Sequence, residues 1–97
     1  MNPFFADVLL DLGTARTRMA LRGGARLDEP TAVAYRDGLP AAAGEDALKM
    51  AAADPGAVKL VRPVEGGAVA DMVSAADLLR LLMKKLWRAA HAAEERS

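Results

Sequence analysis

The sequence predicts a small α/β (α+β) domain, in which a small mixed sheet packs against one short helix and one long amphipathic helix. Three observations predict this class: short apolar runs between turn residues up to position 40, helix-forming residues over 44–53, and a helical apolar stripe after position 74. The 97 residues are 53% hydrophobic, which suits one packed domain. Aromatic residues make up only 4%, so we expect a thin core.

The N-terminal part is predicted to be a meander of four strands. They are expected at Asp7–Asp11, Arg16–Arg22, 25–28 and Thr31–Tyr35. The first is an apolar run that stops at Gly13, which is typical of a buried strand before a tight turn. The second alternates apolar and polar side chains and leads into a glycine hairpin at positions 23 and 24. Pro30 interrupts the third strand, and Asp37-Gly38 predicts a turn after the fourth.

Two helices are predicted in the C-terminal part. Gly44–Ala53 is rich in helix formers and ends at Asp54-Pro55, so a short helix is expected there. After a brief extended stretch at Val58–Val61, residues 63–67 form a predicted loop with two consecutive glycines.

The long helix is predicted to begin at Ser74. Ser74 and Asp77 have the spacing of a capping box, and Val73 is placed to pack on Leu78. An apolar stripe then follows one face, with the charged residues largely off it, as in a helix that packs on a sheet. The stripe comprises Ala75, Leu78, Leu79, Leu82, Leu86 and Ala90.

Charge and composition disfavour several classes of protein. The formal net charge is zero and no basic block is dense enough for a phosphate-backbone footprint, so no nucleic-acid partner is expected. Cysteine is absent, and no apolar run approaches the roughly 18 residues of a spanning helix. We therefore expect a cytoplasmic chain. Segment 1–5, with Phe4 and Phe5, is interpreted either as a contact with a membrane surface or as the lead-in to the first strand.

One segment has the composition of a phosphate-binding turn. Asp11 ends an apolar strand, and Gly13 opens a turn that can direct successive backbone amides at an anion. Asp11 can hold the water shell of a magnesium ion, and Thr14 and Thr17 add hydroxyl donors. Ordinary hairpin turns have the same composition, so both interpretations stay open from these residues alone. An aspartic-protease dyad is not favoured, because the sequence has no second such motif.

Four segments, in order, resemble the MreB family of bacterial actins. They are Asp11–Thr17 (DLGTART), Leu27–Ala34 (LDEPTAVA), Gly44–Met50 (GEDALKM) and Arg62–Asp71 (RPVEGGAVAD). The first is similar to the first phosphate loop of actin-like ATPases in its MreB form, and the second to the family's NEPSVVAI strand. The third is similar to its G-x-x-A-K-x-M helix, and the fourth to its RP-M-x-D-G-V-I-A-D segment.

The resemblance implies the N-terminal subdomain of an actin-like, ribonuclease-H-like ATPase. Residues 1–37 would be the first part of subdomain IA, 38–60 a compact IB-like segment, and 61–97 an IA-type loop and helix. It also implies binding of ATP with magnesium, the metal held by Asp11 through water. The implied nucleotide-binding residues are Asp11, Gly13, Thr14, Ala15, Arg16 and Thr17. Arg16 stands where the family has a small polar amide, so its side chain either lies beside the phosphates or turns to solvent.

The function implied is that of an ATP-binding cytoskeletal filament protein in bacterial cell shape and cell-wall morphogenesis, present as an N-terminal fragment or short form. A second interpretation is a nucleotide-independent module that binds a full-length actin-like filament or a wall-synthesis partner. Since the 97 residues include no second phosphate loop or adenosine pocket, no ATPase activity of this chain alone is expected. An unpaired sheet edge predicts self-association or a filament partner.

Three side chains outside the loop have their own interpretations. His91 fits a solvated helix end better than a metal ligand, because no partner has a suitable spacing. Trp87 fits the core or rim of the helix packing, or else an interface anchor. Arg62 is interpreted as a filament contact or as a cap on the glycine loop.

Overall fold

The computed structural model describes residues 8–22 and 24–96, so segment 1–5 and part of the glycine hairpin at 23 and 24 lie outside the described residues. The strands are Val8–Leu12 (β1), Arg16–Leu21 (β2), Arg26–Pro30 (β3), Val33–Arg36 (β4), Leu39–Ala43 (β5), Val58–Val61 (β6), Val64–Glu65 (β7) and Ala68–Val69 (β8). The helices are Glu45–Ala53 (α1) and Met72–Arg96 (α2).

The strands form three antiparallel sheets where one small mixed sheet was expected, and the α/β class itself is confirmed. The first sheet has the order β1-β2-β3, the second β5-β4-β6, and the third is the β7-β8 hairpin. The predicted meander accounts for β1 to β4. β5 was not predicted, because Pro40 and three alanines favour strand structure weakly. Pro40 is tolerated since β5 lies at the edge of its sheet.

Helix α2 is the layer shared by both three-stranded sheets. Its buried side chains Leu78, Leu82 and Leu86 pack in one cluster with Met19 of β2 and Val33 of β4. These leucines belong to the predicted apolar stripe, so the interpretation of an amphipathic helix on a sheet is confirmed. Full burial of a leucine side chain stabilises the fold by about 1.5–3 kcal/mol. The three leucines therefore make a large contribution to the stability of both sheets.

The predicted short helix, α1, covers the opposite face of the second sheet. The buried residues of this layer are Ala32, Ala34, Ala42, Ala47 and Val58. Because most of them are alanine, the helix lies close to the sheet and little apolar area is buried. The thin core expected from the composition is located here.

β1 is not the buried strand that its apolar run predicts. Leu9 is 72% exposed and Leu10 is 48% exposed. β1 lies at the edge of the first sheet, and among the described residues α2 packs on that sheet from one side. A continuous apolar run is typical of a strand covered on both faces. The second cover is not supplied by the described part of the chain.

Helix α2 begins at Met72, and Asp71 is its capping residue. The Asp71 carboxylate accepts hydrogen bonds from the Ser74 amide and the Ser74 hydroxyl, both at 3.0 Å. These two bonds lower the pKa of Asp71 below its ordinary value of 3.8. The predicted start at Ser74 is therefore wrong by two residues, and the exposed Val73 does not pack as a staple.

Asp77 joins α2 to β4 and does not belong to a capping box. Its carboxylate accepts hydrogen bonds from the Tyr35 hydroxyl at 2.5 Å and from Arg80 at 2.7 Å. The bond from Tyr35 is the main cause that lowers the pKa of Asp77, while burial raises the pKa of Tyr35. The carboxylate is therefore ionised and the phenol protonated at neutral pH.

The outer face of α2 carries an exposed aromatic pair. Trp87 is 58% exposed and its ring lies 4.3 Å from that of His91, centroid to centroid. His91 Nδ1 is also 2.9 Å from the Trp87 carbonyl oxygen. Trp87 therefore lies outside the core, and His91 is at an exposed position as expected. Neither of the two described helices is long and apolar enough to cross a membrane.

Candidate phosphate-binding site

The candidate site is the turn between β1 and β2, residues 13–15. The strands pair with Leu12 opposite Thr17, and the Gly13 amide donates to the Arg16 carbonyl at 3.0 Å. A Cβ atom on Gly13 would lie 2.9 Å from that carbonyl oxygen, closer than side-chain carbons approach backbone. The closed turn therefore needs glycine at its first position.

Thr31, which sequence analysis did not identify as part of the site, fixes the inner side of this turn. Its amide donates to the Ala15 carbonyl at 2.9 Å, and its hydroxyl donates to the Gly13 carbonyl at 2.8 Å. Because the Thr31 hydroxyl hydrogen is used there, the Thr17 hydroxyl donates to Thr31 Oγ1, at 2.8 Å. Both threonines are fully buried. Thr17 thus lies beneath the turn in this structure and supports it.

The outer side of the turn presents two backbone amides. The carbonyls of Gly13 and Ala15 are bonded to Thr31 on the inner side. The amides of Thr14 and Ala15 donate to no other described residue, and both residues are exposed. Successive N–H groups in a turn form a concave binding surface for an anion. The geometry therefore suits the phosphate interpretation of this segment.

The β7-β8 hairpin contacts the site at Thr14. The Gly67 amide donates to Thr14 Oγ1 at 2.7 Å, and Gly66 and Gly67 have φ angles of 56° and 80°. Since the Thr14 hydroxyl accepts this bond, its own hydrogen stays available for a ligand. The two glycines predicted a turn, but nothing in their sequence indicated contact with a residue 53 positions away.

The charged side chains near the turn pair across the first sheet. Arg16 Nε donates to Asp28 Oδ1 at 2.7 Å, and Arg16 Nη2 donates to the Asp28 carbonyl at 3.0 Å. Arg18 lies between two carboxylates, with Nε 3.3 Å from Asp28 and Nη1 3.5 Å from Asp11. The hydrogen bond between Arg16 and Asp28 lowers the pKa of Asp28 and raises that of Arg16. Arg16 therefore turns along the sheet to β3, a direction that the sequence did not predict.

The residues present fit a phosphate group but not the magnesium ion that the resemblance implies. Exposed amides and the Thr14 hydroxyl are donors, as phosphate oxygens require. Asp11, the predicted magnesium residue, is already in contact with Arg18, and a cation added there would lie against a guanidinium of like charge.

The structure thus brings Gly13, Thr14 and Ala15 together on one exposed turn, while Asp11 and Arg16 are directed to ion pairs across the sheet. The assignment of all these residues to nucleotide binding stays a prediction.

The fold that carries this turn is the actin-like fold of MreB proteins. The structure matches MreB5 of Spiroplasma citri bound to ADP with a TM-score of 0.68 and 31% identity, over 84% of this chain and 26% of that chain. The same protein bound to AMPPNP gives a TM-score of 0.69 and 32% identity, over 81% of this chain and 25% of that one.

The chain belongs to the MreB/Mbl protein family, whose sequence profile matches residues 5–97. It is 37% identical over 90 residues to the cell shape-determining protein MreB of Escherichia coli. It is 35% identical over 86 residues to the cell shape-determining protein Mbl of Bacillus subtilis. Each match covers 86% of this chain and 26% of the relative, so the chain spans about a quarter of the length of these curated relatives. The resemblance found in the sequence is confirmed.

Proposed function

We propose that this chain supplies the first phosphate-binding turn of an MreB-like, ATP-binding actin homologue that forms cytoplasmic filaments and acts in bacterial cell shape. The observation that carries the proposal is the pair of exposed amides at Thr14 and Ala15, held from behind by Thr31. The names of the relatives, which are cell shape-determining proteins, and of the MreB5 structures, which contain ADP and AMPPNP, support it.

Each residue of the turn has a separate role in this proposal. The amides of Thr14 and Ala15 and the Thr14 hydroxyl donate to phosphate oxygens of the nucleotide. Gly13 permits the closed turn, and Thr31 keeps the carbonyl groups away from the anion. Repulsion between a carbonyl oxygen and a phosphate is avoided in this way, so the ordered turn is prepared for its ligand.

One turn provides only part of the contacts that a nucleotide needs. Phosphoryl transfer depends on charge stabilisation from several sides, and these residues contact the phosphates from one side. We expect the 97-residue chain to bind ATP with millimolar affinity at most, on the order of 4 kcal/mol, and to release no phosphate.

The proposal is tested by titrating AMPPNP into the ¹⁵N-labelled chain and following the backbone amides. Shifts are expected at positions 13–15, and Gly13→Ala should abolish them because its Cβ meets the Arg16 carbonyl. Gly24→Ala is the matched control, since a Cβ at Gly24 meets no atom within 4 Å. Shifts confined to other regions, or unchanged binding by Gly13→Ala, would contradict the assignment of the turn.

The nucleotide-independent interpretation makes a different prediction. A binding module would co-sediment with full-length MreB filaments whether or not ATP is present, and Gly13→Ala would leave that binding unchanged. Co-sedimentation that depends on ATP and on Gly13 supports the proposed function.

A further inference from the structure

We propose that Arg18 takes the position of a divalent cation beside Asp11, so that the turn binds its anion without magnesium. The part that concerns the anion rests on the proposed function. The part that concerns Asp11 rests on contacts within the first sheet and is tested separately.

Arg18 lies at the centre of a row across the three strands. Asp11 of β1 is directly opposite Arg18, and Arg18 is directly opposite Asp28 of β3. Side chains of directly opposed residues project from the same face of a sheet, so both carboxylates reach the one guanidinium. The Nη1 and Nε groups use different edges of the guanidinium, at 3.5 Å from Asp11 and 3.3 Å from Asp28. A hydrated cation on the Asp11 carboxylate would lie beside the Arg18 guanidinium, which already contacts Oδ2.

The two carboxylates of this row are already matched by two arginines. Asp11 and Asp28 contribute two negative charges, and Arg16 and Arg18 contribute two positive charges. An arginine stays protonated at every relevant pH, so its positive charge does not depend on solution conditions as metal binding does. A divalent cation would add to the excess of positive charge that Arg26 already gives this face.

The Arg18 guanidinium reduces the repulsion between the Asp11 carboxylate and a bound anion. An unpaired Asp11 would repel a phosphate group held at residues 13–15, and the contact with Arg18 neutralises that charge. The planar fork of arginine also has further N–H groups that can donate to a phosphate oxygen while the carboxylates are bound. Arg18 is therefore assigned as a positioning residue that sets the ionic requirement of the site.

The first arm of the test uses magnesium alone. MgCl₂ is titrated into the ¹³C,¹⁵N-labelled chain, and the carboxyl ¹³C shift of Asp11 is followed. Wild type should show no saturable shift up to about 10 mM, whereas Arg18→Leu should show one, because the freed carboxylate can hold a hydrated ion. Arg18→Lys keeps the charge and should resemble wild type. The control Arg26→Leu removes a charge from the same face, opposite Ala20 and away from Asp11.

Equal magnesium responses in wild type and Arg18→Leu, with both chains folded by circular dichroism, would overturn the inference even if no nucleotide binds. The second arm compares AMPPNP affinity in excess EDTA and in magnesium. The AMPPNP affinity of wild type should be the same within about twofold in EDTA and in magnesium. Arg18→Leu should bind AMPPNP about fivefold more weakly than wild type in EDTA. A wild-type chain that binds only with magnesium also overturns the inference. A chain that binds no nucleotide at all refutes the proposed function, and the magnesium arm still decides the role of Arg18.

Discussion

At the turn between β1 and β2, two buried threonines form a chain of hydrogen bonds that ends on the Gly13 carbonyl. Thr31→Val removes the central hydroxyl and leaves the Thr17 hydroxyl and the Gly13 carbonyl without their partner. Each buried polar group left unpaired costs roughly 1–3 kcal/mol, so Thr31→Val should clearly lower the free energy of unfolding in urea. Thr31→Ser keeps the hydroxyl and serves as the control. Equal stability of the two variants would show that this hydrogen-bond chain does not hold the turn.

Acid sensitivity is expected from three carboxylates whose pKa values lie below the ordinary 3.8. They are Asp28, Asp71 and Asp77. A carboxyl group with a depressed folded-state pKa stabilises the protein above its unfolded-state pKa, and this contribution is lost as pH falls through the folded value. The melting temperature should therefore decrease as pH falls below about 4.

The variant Asp77→Asn should weaken that dependence, since its side chain cannot be protonated in this range. Asp37→Asn is the control, because Asp37 is exposed and asparagine tolerates its positive φ of 54°. If the melting temperature depends on pH identically in wild type and Asp77→Asn, Asp77 does not contribute to the acid sensitivity.

The residues of the turn were predictable, but their supports were not. The turn at Gly13 can be recognised from consecutive residues alone. Thr31 and Gly67 reach the same turn from 18 and 53 residues away in the sequence, so their contacts depend on strand register and hairpin placement. The pairing of Arg16 with Asp28 likewise becomes visible only when β2 and β3 are aligned.

Among the elements, helix α2 has the strongest sequence signal and the largest structural role. Leu82 is 1% exposed within the cluster that joins both sheets, and Leu39 at the start of β5 is 68% exposed. Leu82→Ala should lower the free energy of unfolding by about 3 kcal/mol, through lost burial and a cavity. Leu39→Ala should change it by no more than about 0.5 kcal/mol. Similar effects of the two substitutions would contradict the assignment of α2 as the shared layer.

Helix α1 depends on a glycine at its N-terminus. Gly44 has a φ of 69°, and a Cβ there would collide with the Glu29 side chain. That side chain is needed, since its two oxygens accept hydrogen bonds from the Glu45 amide and from Lys85, each at 2.8 Å. Gly44→Ala should therefore destabilise the fold by about 2 kcal/mol in thermal or urea unfolding. Gly56→Ala, where a Cβ meets no atom within 4 Å, should be nearly neutral, and equal losses would contradict this account.

Sequence reasoning located helix α2 through its periodic signal and missed β5, which has none. The stripe on α2 repeats over several turns, whereas β5 has Pro40 and three alanines and gains its conformation from pairing with β4. The capping pattern at Ser74 and Asp77 had the right spacing but lost to Asp71, because Asp77 has a better partner in Tyr35. Local rules fail here where a residue of another element competes for the same side chain.

For the molecule as a whole, the free edge of β1 predicts association. Leu9 and Leu10 project from opposite faces of a strand whose second edge is unpaired within the described part of the chain. A strand added there would bury both side chains and pair the backbone. Light scattering coupled to size exclusion should show a mass that rises with concentration. Leu9→Lys should reduce this association and Leu39→Lys should not, while a strict monomer at all concentrations would exclude it.

Helix α2 packs on both three-stranded sheets but follows all their strands in the sequence. The order of synthesis therefore matters for this protein. All eight strands are synthesised before residue 72, and until α2 follows them Met19 and Val33 have no helix over them. The nascent chain then combines bare apolar sheet faces with open strand edges, the condition under which chains misassemble or recruit chaperones. Contacts between α2 and β2 are also distant in sequence, which slows their formation. Chains stalled on the ribosome through an added C-terminal linker should therefore resist protease only when the linker is long enough for α2 to leave the exit tunnel.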